Sequence, residues 1–323
     1  MRGLLLYNGY SDIPPYEQQI RRLAEEFGKR GVQIDCRKNK EFLLHIEDSK
    51  VSMDSRYDFC VFLDKDIYTS IMVEKLGIPT FNCPDSIAIC DDKMLTYLAL
   101  AGIGIDLPDT TPGPLFYDAG MPVDEQTLRT LEERYPYPMV VKQSYGSQGR
   151  NVYLVRDRTE LLDKMTELRG SKYLIQRYVR TSVGEDLRVI VIGGRAIGGM
   201  IRRSENDFRS NAALGGKTHS ADVSEKSRLI AEKVATFLKL DYCGIDLLKD
   251  ARGDYSIVCE VNSNAFFSSF EESTGINVAE KYVAHIIERV TCIGKRPDGC
   301  PASVATAILT VTEMQRFPGR ARI

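Results

Sequence analysis

Apolar positions along the chain follow two alternating rhythms. In the N-terminal part, runs of strand length ("GLLLYN", "VQIDCR", "YDFCVFLD", "IPTFN") are separated by amphipathic stretches with a helical period. The clearest of these stretches is "EQQIRRLAEEFGKRG", where Ile20, Leu23, Ala24 and Phe27 fall on one face, and a shorter one lies near "SIMVEKLG". Strands alternating with helices predict a small parallel α/β sheet. No G-x-G-x-x-G follows the first strand, so the dinucleotide-binding fingerprint is missing.

The rhythm changes near Pro84. "DSIAICDDKMLTYLALAGI" reads as one helix with Asp85 as its N-cap. Residues 107 to 125, rich in Pro, Thr, Gly and Asp, read as a surface connection. Two strands, "YPMVVKQ" and "RNVYLV", flank "SYGSQG" and lead into the helix "DRTELLDKMTELRG". Then come "KYLIQRYV", a hairpin "DLRVIVIGGRAIGGMIRR" turning at Gly193 and Gly194, the helix "SEKSRLIAEKVATFLKL", a second hairpin from residue 243, and the helix "NVAEKYVAHIIERV". The expected organisation is an N-terminal α/β unit over 1–84, two α+β units over 85–170 and 171–290, and an appendage over 291–323. The appendage carries an apolar run, "ASVATAILTV", suited to docking on the body or on a partner.

Composition narrows the function classes. The chain has 323 residues, 43% of them apolar, enough for more than one core. With 43 Lys and Arg against 45 Asp and Glu the formal charge is -2, which offers no global field for nucleic acid or an anionic membrane, so an anionic ligand must be held by local groups. The opening "MRGLLLYNGYSD" is too short in apolar residues for a signal peptide, and no run approaches a membrane span; a cytoplasmic protein is expected. Eight cysteines without C-x-x-C spacing lie mostly in apolar runs and read as reduced core thiols.

Candidate chemistry begins at "MVVKQSYGSQGR". Lys142 ends an apolar strand directly before a loop containing Gly146 and Gly149, and small residues let backbone N–H groups approach an anion. By itself the segment reads equally as a surface hairpin with a solvated lysine. "GGKT" at 215–218 resembles the end of a P-loop, but Asn211 stands where the first glycine belongs. Arg188, Arg202, Arg203, Arg209 and Lys217 sit beside strands or glycine turns, either as a cluster for a polyphosphate or as a solvated basic edge.

The second hairpin raises a sharper question, because two strand-like apolar runs each carry an acid, Asp246 and Glu260. With the turn centred on Gly253, positions summing to 506 face each other, which pairs Asp246 with Glu260. Asn262 then lies on their face, and Ile257, Cys259 and Val261 point to the other side. Opposed carboxylates repel unless a cation lies between them, and Mg²⁺, which takes oxygen ligands and is shared with substrate phosphates, suits the set. The plainer alternative is a wet sheet face, or acids paired with Arg or Lys.

Taken in order, "DDKMLTYLALAGI", "VVKQSYGSQGRNVYLV", "YLIQRYV", "EDLRVIVIGG", "DFRSNAALGGK", "CGIDLL" and "CEVNSN" resemble the ATP-grasp superfamily, and within it the RimK and LysX type of amino-acid (glutamate) ligase, over about 85–290. The resemblance implies an ATP-grasp fold: an N-terminal parallel α/β pre-ATP-grasp domain and two α+β subdomains that clamp ATP. It implies that Lys93 and Lys142 contact the phosphates under the loop Gly146, Ser147, Gln148 and Gly149. It also implies that the linker Gln176 to Val179 reads adenine through backbone groups of Arg177 and Val179, with Asp186 at the ribose. Arg188, Arg202 and Asn211 would face the phosphates and the reacting carboxylate, with Arg203 the alternative to Arg202. Asp246, Glu260 and Asn262 would hold Mg²⁺, with Mn²⁺ as an alternative.

The implied activity is ATP-dependent ligation of a carboxylate to an amine through an acylphosphate. It would join glutamate or another amino acid to an amino acid, peptide or protein, and self-association as a dimer or tetramer is the family habit. The chemistry needs no enzyme nucleophile, in agreement with only three histidines; His219 is either near the ligand or an ordinary surface residue. After "EVN" the chain runs "SNAFF", where Phe266 and Phe267 either shape the acceptor pocket or pack beneath it. The rival readings are a phosphotransferase acting on a hydroxyl and a nucleotide-binding module without turnover.

Overall fold

Strands with no polar interruption form the centre of the first sheet. β1 (Arg2–Tyr7) carries Leu4, Leu5 and Leu6, and β5 (Phe59–Leu63) is buried along its whole length. Between them lie α1 (Pro14–Lys29), β2 (Gln33–Lys38) and a small hairpin, β3 (His45–Glu47) with β4 (Lys50–Ser52). α2 (Ile67–Lys75), β6 (Thr80–Phe81) and α3 (Pro84–Asp91) follow. The sheet order is β2-β1-β5-β6 and every pair is parallel, as strands alternating with helices require. In the computed structural model the described residues are 1–11, 14–41, 44–53, 55–118, 120–146, 149–210 and 216–293. They divide into two units, Met1–Ala88 with the segment from Tyr282, and Ile89–Lys281.

The expected single helix from Asp85 is two helices. Asp92 has extended backbone angles, and its side chain accepts from the N–H groups of Met94 and Leu95, so it ends α3 and caps α4 (Lys93–Leu100). Asp85 is not the cap: α3 begins at Pro84, and Asp85 lies in its first turn. The expected connection over 107–125 contains β7 (Thr110–Pro112), a short polar strand that takes its place by pairing with a buried neighbour.

α5 (Glu125–Arg134), β8 (Met139–Gln143), β9 (Val152–Val155), α6 (Arg158–Glu167) and β10 (Tyr173–Arg177) complete an antiparallel sheet of order β7-β10-β8-β9. A second antiparallel sheet has the order β13-β12-β11-β14-β15, built from β11 (Glu185–Ile192), β12 (Arg195–Arg203), β13 (Lys217–Ala221), β14 (Tyr242–Lys249) and β15 (Tyr255–Asn262). β11 and β12 turn at Gly193 and Gly194, both at positive φ, as a two-residue hairpin demands. α7 (Glu225–Phe237) covers one face of this sheet, with Ala231, Val234 and Ala235 set against Val189, Val191, Ile245 and Val258. α8 (Ser268–Thr274) packs on β12 and β13, and α9 (Val278–Ile293) follows. The expected appendage lies, beyond Ile293, outside the described residues. No described helix is long and apolar enough to cross a membrane.

Candidate active site

The face of the five-stranded sheet opposite α7 carries charge in the middle of a buried surface. Arg188 on β11 stands opposite Asp246 on β14, and Asp186, two residues earlier, stands opposite Arg202 on β12. Arg188 donates to Asp246 through Nε and Nη2, both at 2.7 Å. Arg202 donates to Asp186 through Nε (2.7 Å) and Nη2 (2.5 Å), and Nη2 also lies 2.8 Å from Asp246 Oδ2. The Ser210 hydroxyl donates to Asp186 as well. Two carboxylates and two guanidinium groups thus alternate across three strands, with Asp246 2% and Arg202 4% exposed. Burial raises the Asp246 carboxyl, but the charges of Arg188 and Arg202 outweigh it and hold it below the ordinary carboxylate value. Asp186, with one guanidinium and a second carboxylate nearby, is lifted by burial.

The hairpin register follows the turn arithmetic at the functional end, where Asp246 faces Glu260 and Gly244 faces Asn262. Past that point it slips, and Leu247 pairs with Val258. The bulge falls at Cys259 and corrects the expected alternation. Val258 takes the core position, Cys259 turns toward the cavity beside Glu260, and Ile257 is only partly buried. Lys142 on β8 is 7% exposed and its Nζ lies 3.7 Å from Cys259 Sγ. Burial opposes its charge, yet Cys259, Tyr97 and Glu260 around it more than offset that and raise its pKa.

Lys142, Asp186, Arg202, Ser210, Asp246, Cys259 and Glu260 line a cleft of about 890 Å³, counted out to open solvent, between the two antiparallel sheets. Its lining includes the apolar or aromatic side chains of Val140, Val152, Tyr178, Phe208 and Leu248 and the charged ones of Lys93, Lys142, Arg202, Asp246 and Glu260. Gly146 and Gly149 line the cleft at positive φ, and Lys93 Nζ donates to the Gly146 carbonyl at 2.7 Å while standing 3.6 Å from Glu260 Oε1. In the linker, the Arg177 N–H is already bound to the Asp109 carbonyl at 2.9 Å, whereas no backbone bond of the Val179 N–H occurs among the described residues. The Gln176 side chain donates to Thr110, and the Tyr178 and Phe208 rings meet edge to face at 6.2 Å.

Of the residues singled out in the sequence, Lys93, Lys142, Gly146, Gly149, Gln176, Arg177, Val179, Asp186, Arg202, Asp246 and Glu260 line this one cleft. Arg188 and Asn262 adjoin it through Asp246, Asn262 Nδ2 lying 3.5 Å from Oδ2. Ser147, Gln148 and Asn211 lie outside the described residues. Arg202, not Arg203, faces the cleft, since Arg203 turns to Glu185. His219 is exposed on the edge strand β13, away from the cleft lining. Phe267 is fully buried against Tyr242, so it packs beneath the surface, and Phe266 is partly buried. Sequence reasoning missed Cys259, Glu185 and Phe208. The bulge that exposes Cys259 has no local signal, while Phe208 lay in view inside "DFRSN".

A divalent cation fits the donor set. Asp246, Glu260 and Asn262 offer oxygen ligands, and Glu260 is 24% exposed with Lys93 as its near cation. Among the described residues no group of three or more His, Cys, Asp or Glu is arranged to hold a metal ion. A cation here would therefore rest on two carboxylates and an amide, with water and phosphate oxygens completing its shell, as Mg²⁺ prefers.

Apolar side chains and a set of lysines, arginines and acids thus share one cleft between two antiparallel sheets, a lining suited to a polyanionic ligand with an apolar part. A sequence model of the RimK-like ATP-grasp domain matches residues 90–286, and the chain belongs to that family. It is 38% identical over 218 residues to "Beta-citrylglutamate synthase B" of Danio rerio, covering 67% of this chain and 52% of that protein. It is 33% identical over 244 residues to "Glutamate--LysW ligase ArgX" of Sulfurisphaera tokodaii, covering 72% and 83%. The chain spans about half the length of the first of these. Among solved structures, the ATP-grasp ligase PsnB in complex with a minimal precursor, Mg and ADP superposes with a TM-score of 0.64 at 15% identity over 89% of this chain and 97% of that one, a likeness of fold.

Proposed function

We propose that the protein is an ATP- and Mg²⁺-dependent carboxylate–amine ligase of the ADP-forming type, with glutamate as one reactant. The observation that carries this is the Arg188–Asp246–Arg202 array beside Glu260 at the cleft. The names of both relatives contain glutamate, which supports that choice of reactant.

In this reading the subdomains over 85–170 and 171–290 grip the nucleotide, and the unit over 1–84 is their partner domain. Adenine lies against Val140, Tyr178 and Leu248, with Val179 N–H free to meet the base edge. Lys93, Lys142 and the Gly146–Gly149 loop take the phosphates, while Arg188, Arg202 and Asn211 face the γ-phosphate and the reacting carboxylate. Asp246, Glu260 and Asn262 would hold Mg²⁺, or Mn²⁺ in its place, which when bound offsets negative charge on the phosphates. The carboxylate oxygen attacks the γ-phosphorus and ADP leaves, giving an acylphosphate. The amine nitrogen then attacks the acyl carbon, phosphate leaves, and the nitrogen gives up its proton. Fixed cations stabilise the charge at both steps, so no side-chain nucleophile is required. Abundant ATP makes the cytoplasm the natural setting.

The test is phosphate release from ATP screened over pairs of glutamate with amino acids and peptides, followed by mass spectrometry of the product. Phosphate release that requires an amine, together with an amide product, is expected; phosphate transferred to a hydroxyl would overturn the reading.

A further inference from the structure

Lys93 and Tyr97 lie one turn apart on α4 and meet consecutive residues of β15. Lys93 Nζ stands 3.6 Å from Glu260 Oε1, and the Tyr97 hydroxyl donates to the Cys259 carbonyl. Cys259 is the bulge residue, with no partner in the register of β14, and its carbonyl takes a side-chain donor instead. That donor is itself buried, with Tyr97 5% exposed. A phenol has one proton, and committing it to Cys259 leaves the oxygen able only to accept. Two donors bear on it: the Lys142 ammonium from β8 and the Gln176 amide from β10, whose Nε2 also donates to Thr110 at 2.8 Å. One hydroxyl thus joins α4, β15, β8 and β10. Of the other groups around Lys142, Cys259 Sγ at 3.7 Å is a weak acceptor, and Glu260 acts through its charge, which sets no direction.

We propose that Tyr97 is a positioning residue for Lys142: its hydroxyl, turned by the Cys259 carbonyl, holds the ammonium where the phosphates of a nucleotide in the cleft meet it. Lys142 and Gln176 line the cleft, whereas Tyr97 is not part of its lining. The proposal rests on Lys142 being a phosphate ligand, and the test separates the two.

The probes are ADP and adenosine, each titrated by calorimetry with a chelator present. Tyr97→Phe keeps the buried ring and removes the acceptor. ADP affinity should fall about 10-fold, the scale of a hydrogen bond to a charged group, while adenosine affinity stays within about 2-fold. In a Lys142→Met background the same change should move ADP affinity by less than about 2-fold, because the group it positions is gone. A loss shared by adenosine, or a loss that persists in full without Lys142, would give Tyr97 a general packing role and overturn the proposal. An unchanged ADP affinity in Tyr97→Phe would overturn it too, as would failure of that variant to fold, which would make the hydroxyl a support of the core. If Lys142→Met alone binds ADP as the wild type does, the lysine leaves the phosphate site; if the wild-type protein binds no ADP, the nucleotide reading itself is sunk. The proposal falls in either case. Should Lys142→Met fail to fold, the contrast between ADP and adenosine in Tyr97→Phe decides.

Discussion

Arg188 and Asp246 face each other on adjacent antiparallel strands, and one guanidinium engages both oxygens of a carboxylate that is almost fully buried. Breaking such a pair from one side leaves a buried charge with half its compensation. Arg188→Met should cost about 3 kcal/mol in urea denaturation. Arg188→Lys should recover part of that stability but little of the phosphate-release rate, because an ammonium cannot reproduce the fork.

Glu260 has a more open environment, with Lys93 at 3.6 Å as its near cation. Glu260→Gln should therefore leave the fold close to wild type, within about 1 kcal/mol. If the acid holds a metal, amine-dependent phosphate release should fall by at least about 100-fold. Full activity in this variant would remove Glu260 from the metal site.

The facing of Asp246 and Glu260 was legible because a hairpin register is arithmetic once its turn is placed, and Gly253 marks the turn. The fate of Cys259 was not legible: a bulge depends on how β15 fits its neighbours, and "SIVCEV" alternates no differently with or without one. The break at Asp92 was readable in principle, since an aspartate two residues before Met94 is a capping residue, but the apolar positions around it continue with a helical period and conceal it. The parallel sheet came directly from alternating apolar runs. β7 escaped because "TTP" has no apolar signal and pairs only because β10 offers it an edge.

Cys243 is buried and Cys259 is partly buried at the cleft, and burial pushes both thiols up from the ordinary value, while Cys292 is exposed. Since the thiolate is the reactive form, iodoacetamide at pH 8 should label Cys292 quickly and the other two slowly. Mass spectrometry of the peptides reads this site by site. ATP with Mg²⁺ should slow Cys259 further and leave Cys243 unchanged, because only Cys259 lines the cleft.

Gly184 supports the segment that carries Phe208, Arg209 and Ser210. Its N–H donates to the Phe208 carbonyl, its carbonyl accepts from Ser204 N–H, and its φ is +64°. A Cβ there would lie 2.5 Å from the Ser204 carbonyl oxygen and 2.8 Å from that of Asp207. Gly184→Ala should therefore displace the segment, costing about 2 kcal/mol. It should raise the Kd for ADP, measured by calorimetry, more than the conservative Phe208→Leu does.

The pH behaviour of the fold should depend on Glu185. Its buried carboxylate accepts from Lys249, Tyr255 and Arg203, and although burial alone would raise it, these donors bring its pKa down to about 2. A carboxyl whose folded value lies below its unfolded value of 4.5 stabilises the protein above that pH, and the contribution fades as pH falls toward the folded value. Glu185→Gln should therefore cost up to about 3 kcal/mol at pH 7 in urea denaturation. The gap between variant and wild type should stay constant from pH 8 to pH 5.5 and narrow steadily from pH 4.5 downward, as the unfolded wild-type chain takes up the proton that the folded one refuses. A gap that instead persists undiminished at pH 3 would mean that the donors, not the charge of Glu185, set its worth.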